Sequence, residues 1–342
     1  MAQTKIFSKL ICLFLFFPLI WSFTVVCEAK ELFRIGTGGK TGVYFPVGKL
    51  IAQGLTEPLR TKAIPGGKKT GIPGYIAVAQ NSAGSVENIN TIISNETEAG
   101  LIQADVASWA YQSSGPFAGE KKFQTIRAVA SLYPEKFQIV TRKDANIHKV
   151  TDLRGKRISL DELGSGTLSV MRIILAAHSL SEKDLRPVYL KPVFTENKMI
   201  SGELQGFVMM AGAPMEAVLK LSDIGISLVP ISKKIANKIN RQYPYLVPGF
   251  IPANVYPNVP ETQTIQVHAL LAVNSAMDEE LVYQVTRTLW SPHMLSLLKR
   301  GHPQGKAITL ESALTGLSIP LHEGAKRFYR EQGLLIKDLL SK

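Results

Sequence analysis

The sequence predicts an α/β protein with a mostly parallel sheet and a ligand bound beyond the strand C-termini. Three observations carry this. Apolar, β-rich runs alternate with helical spacing along the whole chain. Three strand-to-helix junctions are built from glycine and serine. About 313 residues follow a candidate leader, enough for a hydrophobic core in two lobes.

The leader comes first. Lys5 and Lys9 precede a stretch without charge from Leu10 to Cys27, and Cys27 and Ala29 sit at −3 and −1 of a cleavage site before Lys30. Eighteen uncharged residues also approach the length of a membrane anchor, but Pro18, Ser22 and Thr24 weaken a span. The reading is a cleavable signal peptide over residues 1–29 and a soluble mature chain, because no comparable apolar run follows. Both cysteines, Cys12 and Cys27, would leave with it. Disulfides, thiolate metal sites and a cysteine nucleophile are thereby excluded from the mature protein.

Strand signals follow at Phe33–Gly36, Tyr75–Ala79, Ala99–Ile102, Ile126–Leu132, Phe137–Thr141 and Arg157–Leu160. Later ones are Pro187–Leu190, Gly206–Met210, Ser227–Pro230 and Val267–Val273. Helical spacing joins Val47, Leu50, Ile51 and Leu55, with Pro46 tolerated in the first turn. It returns at Val86, Ile89 and Ile93, and at Val170, Ile174 and Ala177. Pro65–Gly74, rich in glycine and lysine, reads as a surface loop.

The three junctions share one chemistry. The first runs from Ile35 through Gly36, Thr37, Gly38, Gly39, Lys40 and Thr41 to Tyr44. The second is Ala83-Gly84-Ser85-Val86-Glu87-Asn88, with Ser85 placed to cap a helix, and the third is Leu163-Gly164-Ser165-Gly166-Thr167. Small residues let backbone approach a ligand, and a helix N-terminus offers free N–H groups suited to a carboxylate or phosphate. Capped helices after glycine turns are common in α/β proteins, so it is the repetition that points to an anion-binding cleft.

Sharper motifs fail on spacing. A phosphate-binding P-loop ending at Gly39-Lys40-Thr41 needs a glycine where Arg34 stands, and a dinucleotide fingerprint from Gly36 needs one at Thr41. Gly164-Ser165-Gly166 lacks the flanks of a nucleophile elbow. The six histidines, at 148, 178, 268, 293, 302 and 322, form no metal-ligand pair. No catalytic set, metal or cofactor is expected. The formal net charge is +12, or +11 once Lys5, Lys9 and Glu28 are removed with the leader. The basic residues are scattered, with short clusters such as Lys68-Lys69 and Lys233-Lys234, and no nucleic-acid motif accompanies them. They read as solvated surface.

An ordered series of motifs then resembles a known family. After the first junction come Gly84-Ser85-Val86-Glu87-Asn88-Ile89, Gly100-Leu101-Ile102-Gln103-Ala104-Asp105-Val106 and Ala130-Ser131-Leu132-Tyr133-Pro134-Glu135. Leu153-Arg154-Gly155-Lys156-Arg157 leads into the third junction, followed by Tyr243-Pro244-Tyr245, Ile251-Pro252-Ala253, Ala307-Ile308-Thr309-Leu310-Glu311 and Ile319-Pro320-Leu321-His322. Across essentially all of the mature chain this is similar to the TAXI family of solute receptors for TRAP transporters.

The resemblance implies a periplasmic binding protein of type II topology, two lobes with a ligand cleft at the hinge. Lobe 1 would comprise residues 30–137 and 268–342, and lobe 2 residues 138–267. It further implies a monomer that binds a small carboxylate or amino acid, of the glutamate or 2-oxoglutarate kind, and delivers it to membrane permease subunits. A periplasmic ligand sensor, or an enzyme on the same two-lobe fold, is the alternative.

The candidate ligand contacts are Thr37, Gly38, Gly39, Thr41 and Tyr44, then Ser85, Gln103 and Asp105, then Ser165, Gly166 and Thr167. Gly212 and Pro214 match a family turn in the second lobe and could be purely structural. Tyr44 could give a hydrogen bond and a flat wall, or fill the core. Asp105 would suit an ammonium group, or simply form a turn. Leu168 departs from the family, many members of which carry a basic residue there. If that residue grips a second carboxylate, a dicarboxylate ligand is less secure.

Overall fold

A computed structural model describes residues 30–57, 70–163 and 165–335. The leader read at residues 1–29, Gly164 and much of the Pro65–Gly74 loop lie outside the described residues. The strands are β1 (Glu31–Gly36), β2 (Tyr75–Gln80), β3 (Ala99–Gln103), β4 (Ile126–Arg142), β5 (Arg157–Ser159), β6 (Arg186–Val188), β7 (Gly206–Ala211), β8 (Ile226–Leu228), β9 (Val247–Ile251) and β10 (Thr262–Asn274). The helices are α1 (Tyr44–Leu55), α2 (Ser85–Ile93), α3 (Ala104–Tyr111), α4 (Gly166–Ala177), α5 (Glu196–Ile200), α6 (Glu216–Leu219), α7 (Lys233–Gln242), α8 (Glu279–Leu289), α9 (Pro292–Gly301) and α10 (Glu323–Glu331).

The sheet runs β2-β1-β3-β10-β4-β7-β5-β6, with β8 beside β4 and β9 beside β10. Its two ends are parallel, β1 with β2 and β3, and β5 with β6 and β7. The middle is antiparallel, because β10 opposes β3, β4 and β9, and β4 opposes β7 and β8. The sheet is therefore mixed rather than mostly parallel. Two long strands cause this by crossing from one end to the other.

Those strands are β4 and β10, paired along their length from Gln266 opposite Lys136 to Asn274 opposite Ile126. Their outer partners change midway. β10 pairs with β9 through Thr262–Gln266 and with β3 through Ala269–Val273, while β4 pairs with β7 from Lys136 onward. The changeover falls at Pro134–Glu135 of β4. Two bulges lie beside it, leaving Leu132 and Val129 without a register partner on β10. A bulge bends a strand and sharpens its twist, so the sheet turns where the outer partners of β4 and β10 change.

Both crossing strands are almost wholly buried, and Ala128 through Tyr133 and Ala269 through Val273 form the middle of the core. Burial of consecutive residues means both faces are covered by helices, as expected in a sheet with parallel ends. No helix among the described residues is long and apolar enough to cross a membrane.

Candidate functional site

The C-termini of β1, β2, β3 and β5 each deliver the chain to the start of a helix, and these turns converge where β4 changes partners. Thr37 fastens the first two. Its N–H and hydroxyl both donate to the Gln80 carbonyl, at 2.9 and 2.5 Å, and its own carbonyl accepts from Ser82 Oγ and Asn88 Nδ2. Asn88 Nδ2 also reaches the Leu101 carbonyl at 2.7 Å, so one buried amide ties β1, α2 and β3 together. Gly84 enters α2 at φ +111°, a conformation that excludes a side chain. Ser85 Oγ then accepts from the Gln103 N–H at 3.0 Å. Across the cleft Ser165 caps α4 by accepting from Leu168 N at 3.1 Å, and Thr167 Oγ1 accepts from Met210 N at 3.2 Å.

These turns enclose a cavity of about 70 Å³. Of the residues predicted from sequence, Gly38, Gly39, Tyr44, Ser85, Gln103, Ser165, Gly166 and Thr167 line it together. Thr37, Thr41, Asp105, Gly212 and Pro214 are not among its lining. Thr37 is spent on the hydrogen bonds above. Asp105 is buried in the first turn of α3, its carboxyl pushed up to about 7 by burial. Gly212 packs under Gln304, and Pro214 follows a cis peptide bond.

Two acids that sequence reasoning did not select also line the cavity, Glu135 and Asp161. Glu135 sits at the changeover of β4, 1% exposed, and accepts a hydrogen bond of 2.7 Å from the Tyr44 hydroxyl. Burial pushes its carboxyl well above the ordinary range; Tyr44 opposes that and nearby Asp105 adds to it. The phenols of Tyr44 and Tyr133 are likewise pushed up, first by burial and then by Glu135. Asp161 follows β5 at φ +68°, in the left-handed region. Its carboxyl is raised to about 6 by burial, against the pull of the Glu162 N–H and the Thr167 and Ser165 hydroxyls. Asp161 directly follows a predicted strand end, the same signal that selected Gln103.

The two sides of the cavity touch. Gln103 Nε2 reaches the Met210 carbonyl at 3.4 Å, and a Cβ on Gly166 would come within 2.2 Å of Gln103 Oε1. Beyond that contact α3 and α4 part around a second, larger cavity of about 1,300 Å³, lined by Ser108, Trp109, Ser169, Arg172 and Tyr245 among others. The smaller cavity is the candidate site, because the strand ends and the buried polar groups converge there. Among the described residues no His, Lys or Arg lines it, and no group of three or more potential metal ligands occurs.

Residues 35–333 match the model of the NMT1-like family. The chain belongs to the NMT1-like family. Solved structures resembling this NMT1-like chain include a protein of Bordetella bronchiseptica RB50, 13% identical over 89% of this chain and 99% of that one, with a TM-score of 0.52. The alkanesulfonate-binding protein SsuA of Xanthomonas axonopodis pv. citri, bound to MOPS, is 14% identical over 88% and 84% of the two chains, with a TM-score of 0.44. A Salmonella typhimurium periplasmic binding protein of high arginine specificity is 13% identical over 79% and 99%, with a TM-score of 0.43. What the NMT1-like chain shares with the Bordetella structure is the fold, a mixed α/β arrangement.

Proposed function

We propose that this NMT1-like protein is a periplasmic solute-binding protein, the receptor subunit of a TRAP-type transporter of the TAXI kind. It binds a small carboxylate or amino acid and delivers it to membrane permease subunits, without chemistry. The observation that carries this is the convergence of glycine turns and helix N-termini from both ends of the sheet on one buried cavity beside the changeover of β4. Residues 30–137 with 268–342, and 138–267, act as the two lobes. The long strands between them form the hinge, and ligand enclosed between the lobes favours the closed form.

The test is native mass spectrometry of purified mature protein, followed by a thermal-shift screen of amino acids, carboxylates and sulfonates. At least one small anion or zwitterion should raise the melting temperature, since a ligand at about a hundred times its Kd adds roughly 2.7 kcal/mol. No stabilising compound and no co-purified ligand would refute solute binding. Uptake in vesicles with the cognate permease should follow a sodium or proton gradient. Uptake that demands ATP would replace the TRAP assignment and leave solute binding intact.

A further inference from the structure

We infer that the cavity selects a zwitterionic amino acid with a single carboxylate, its ammonium drawn to the acceptors of Glu135, Asp161 and Gln103 and its carboxylate held by the amide ends of α1 and α2. This deepens the solute-binding reading and rests on it.

The charges in the lining decide the class. Among the described residues the lining holds two carboxylic acids, Glu135 and Asp161, and no His, Lys or Arg. A ligand carboxylate therefore has no cationic side chain to meet. Its partners are the backbone N–H groups of the helix starts, which suit one anionic group. α1 carries no acidic residue in the first turn, so its amide end is not already neutralised, whereas the start of α4 already has the Asp161 carboxyl beside the Ser165 and Thr167 hydroxyls. A second carboxylate would find no further positive partner and would face Glu135 or Asp161.

The acids alone would not define a ligand, but Gln103 supplies an independent sign. It is 5% exposed and borders the cavity, and its Oε1 has no hydrogen-bond partner. Its Nε2 is committed to the Met210 carbonyl, which fixes the oxygen as the free end. A buried acceptor without a donor is costly and implies a missing partner. An ammonium group has three donors and no acceptor, which suits a lining that includes the carboxyls of Glu135 and Asp161 and the unpartnered Gln103 Oε1. Leu168, which follows Thr167, is 1% exposed and packed in the core, so no basic residue reaches the site from that position.

The experiment is calorimetric titration of the mature protein, stripped of co-purified ligand by unfolding and refolding. The probes are L-alanine, L-serine and L-glutamine, their N-acetyl derivatives, the corresponding 2-oxo acids, and succinate. At least one free amino acid should bind at least about tenfold tighter than its N-acetyl and 2-oxo counterparts, the scale of one charge-assisted hydrogen bond. Glu135→Gln and Asp161→Asn should each weaken that amino acid by a similar factor. The wild-type comparison stands even where a variant fails to fold. A 2-oxo acid or succinate binding as tightly as the amino acids overturns this inference and leaves solute binding intact. Binding of none of the probes, with no stabilisation by any compound in the thermal screen, overturns both.

Discussion

Asp105 is wholly buried in the first turn of α3, with Glu135 of β4 and Tyr245 beyond α7 as its ionisable neighbours. Burial raises its carboxyl from an ordinary 3.8 to about 7, and the N–H groups of Val106 and of Asp105 itself recover only part of that. The sign of the consequence follows from linkage. Above pH 3.8 the unfolded chain gives up this proton while the folded chain keeps it, so stability falls as pH rises from about 4 to 7 and levels beyond. Asp105→Asn should therefore stabilise the protein at pH 8, by on the order of 3 kcal/mol, and change it little at pH 4. Urea unfolding at the two pH values measures this, and an equal difference at both would refute a protonated Asp105. At this scale the sequence was partly legible. Glycine turns and capping serines declare themselves locally, whereas Glu135 sits mid-strand between Pro134 and Lys136 and resembles a turn. Only pairing with β10 brings it to the cavity.

The elements meet the site through one helix start, where the first residue of α4 lies against the end of β3. At Gly166 an added Cβ would stand 2.2 Å from Gln103 Oε1 and 2.7 Å from Val106 Cγ2, and Val106 belongs to a packed core. Gly166 is a helical position without positive φ, so alanine suits its backbone and the clash is purely across the cleft. Gly166→Ala should keep or slightly raise the melting temperature while holding the two sides apart, weakening ligand by at least about tenfold. Small-angle scattering with calorimetry would show both, and unchanged affinity would mean that Gln103 and Gly166 need not approach. Element reading from sequence succeeded where periodicity was uninterrupted, as in α1, α2 and α4. It split β4 in two, since Pro134 and Glu135 interrupt the apolar run, although the strand continues by pairing Pro134 with His268. It missed β9, whose Pro248 and Gly249 read as loop but are tolerated in a short strand that pairs with β10.

At the scale of the molecule, two hydrogen bonds and an aromatic pair among the described residues join the β3 side of the sheet to the β7 side outside the long strands. Gln103 Nε2 meets the Met210 carbonyl, Gln304 Nε2 donates to the Ala213 carbonyl at 2.5 Å, and Trp109 packs edge-on against Tyr245 with centroids 6.2 Å apart. If the two ends act as lobes about the changeover in β4 and β10, these contacts belong to the closed form and are lost on opening. Neither Gln304 nor Tyr245 lines the smaller cavity, so a change there alters closure without removing a ligand contact. A hydrogen bond contributes about 0.5–1.5 kcal/mol and an edge-on aromatic pair about the same, beyond their buried area. Removing both should shift the open–closed balance by roughly 1–3 kcal/mol, and a ligand that needs the closed form loses affinity by that amount, about 5- to 150-fold. The loss should fall on the dissociation rate, because encounter occurs with the open form and is unchanged. Stopped-flow binding by Gln304→Ala, Tyr245→Ala and the double variant measures it. Near-additive effects on dissociation are expected, as the two contacts share no partner. A double variant that binds and releases ligand as the wild type does would show that the ligand alone holds the cleft shut.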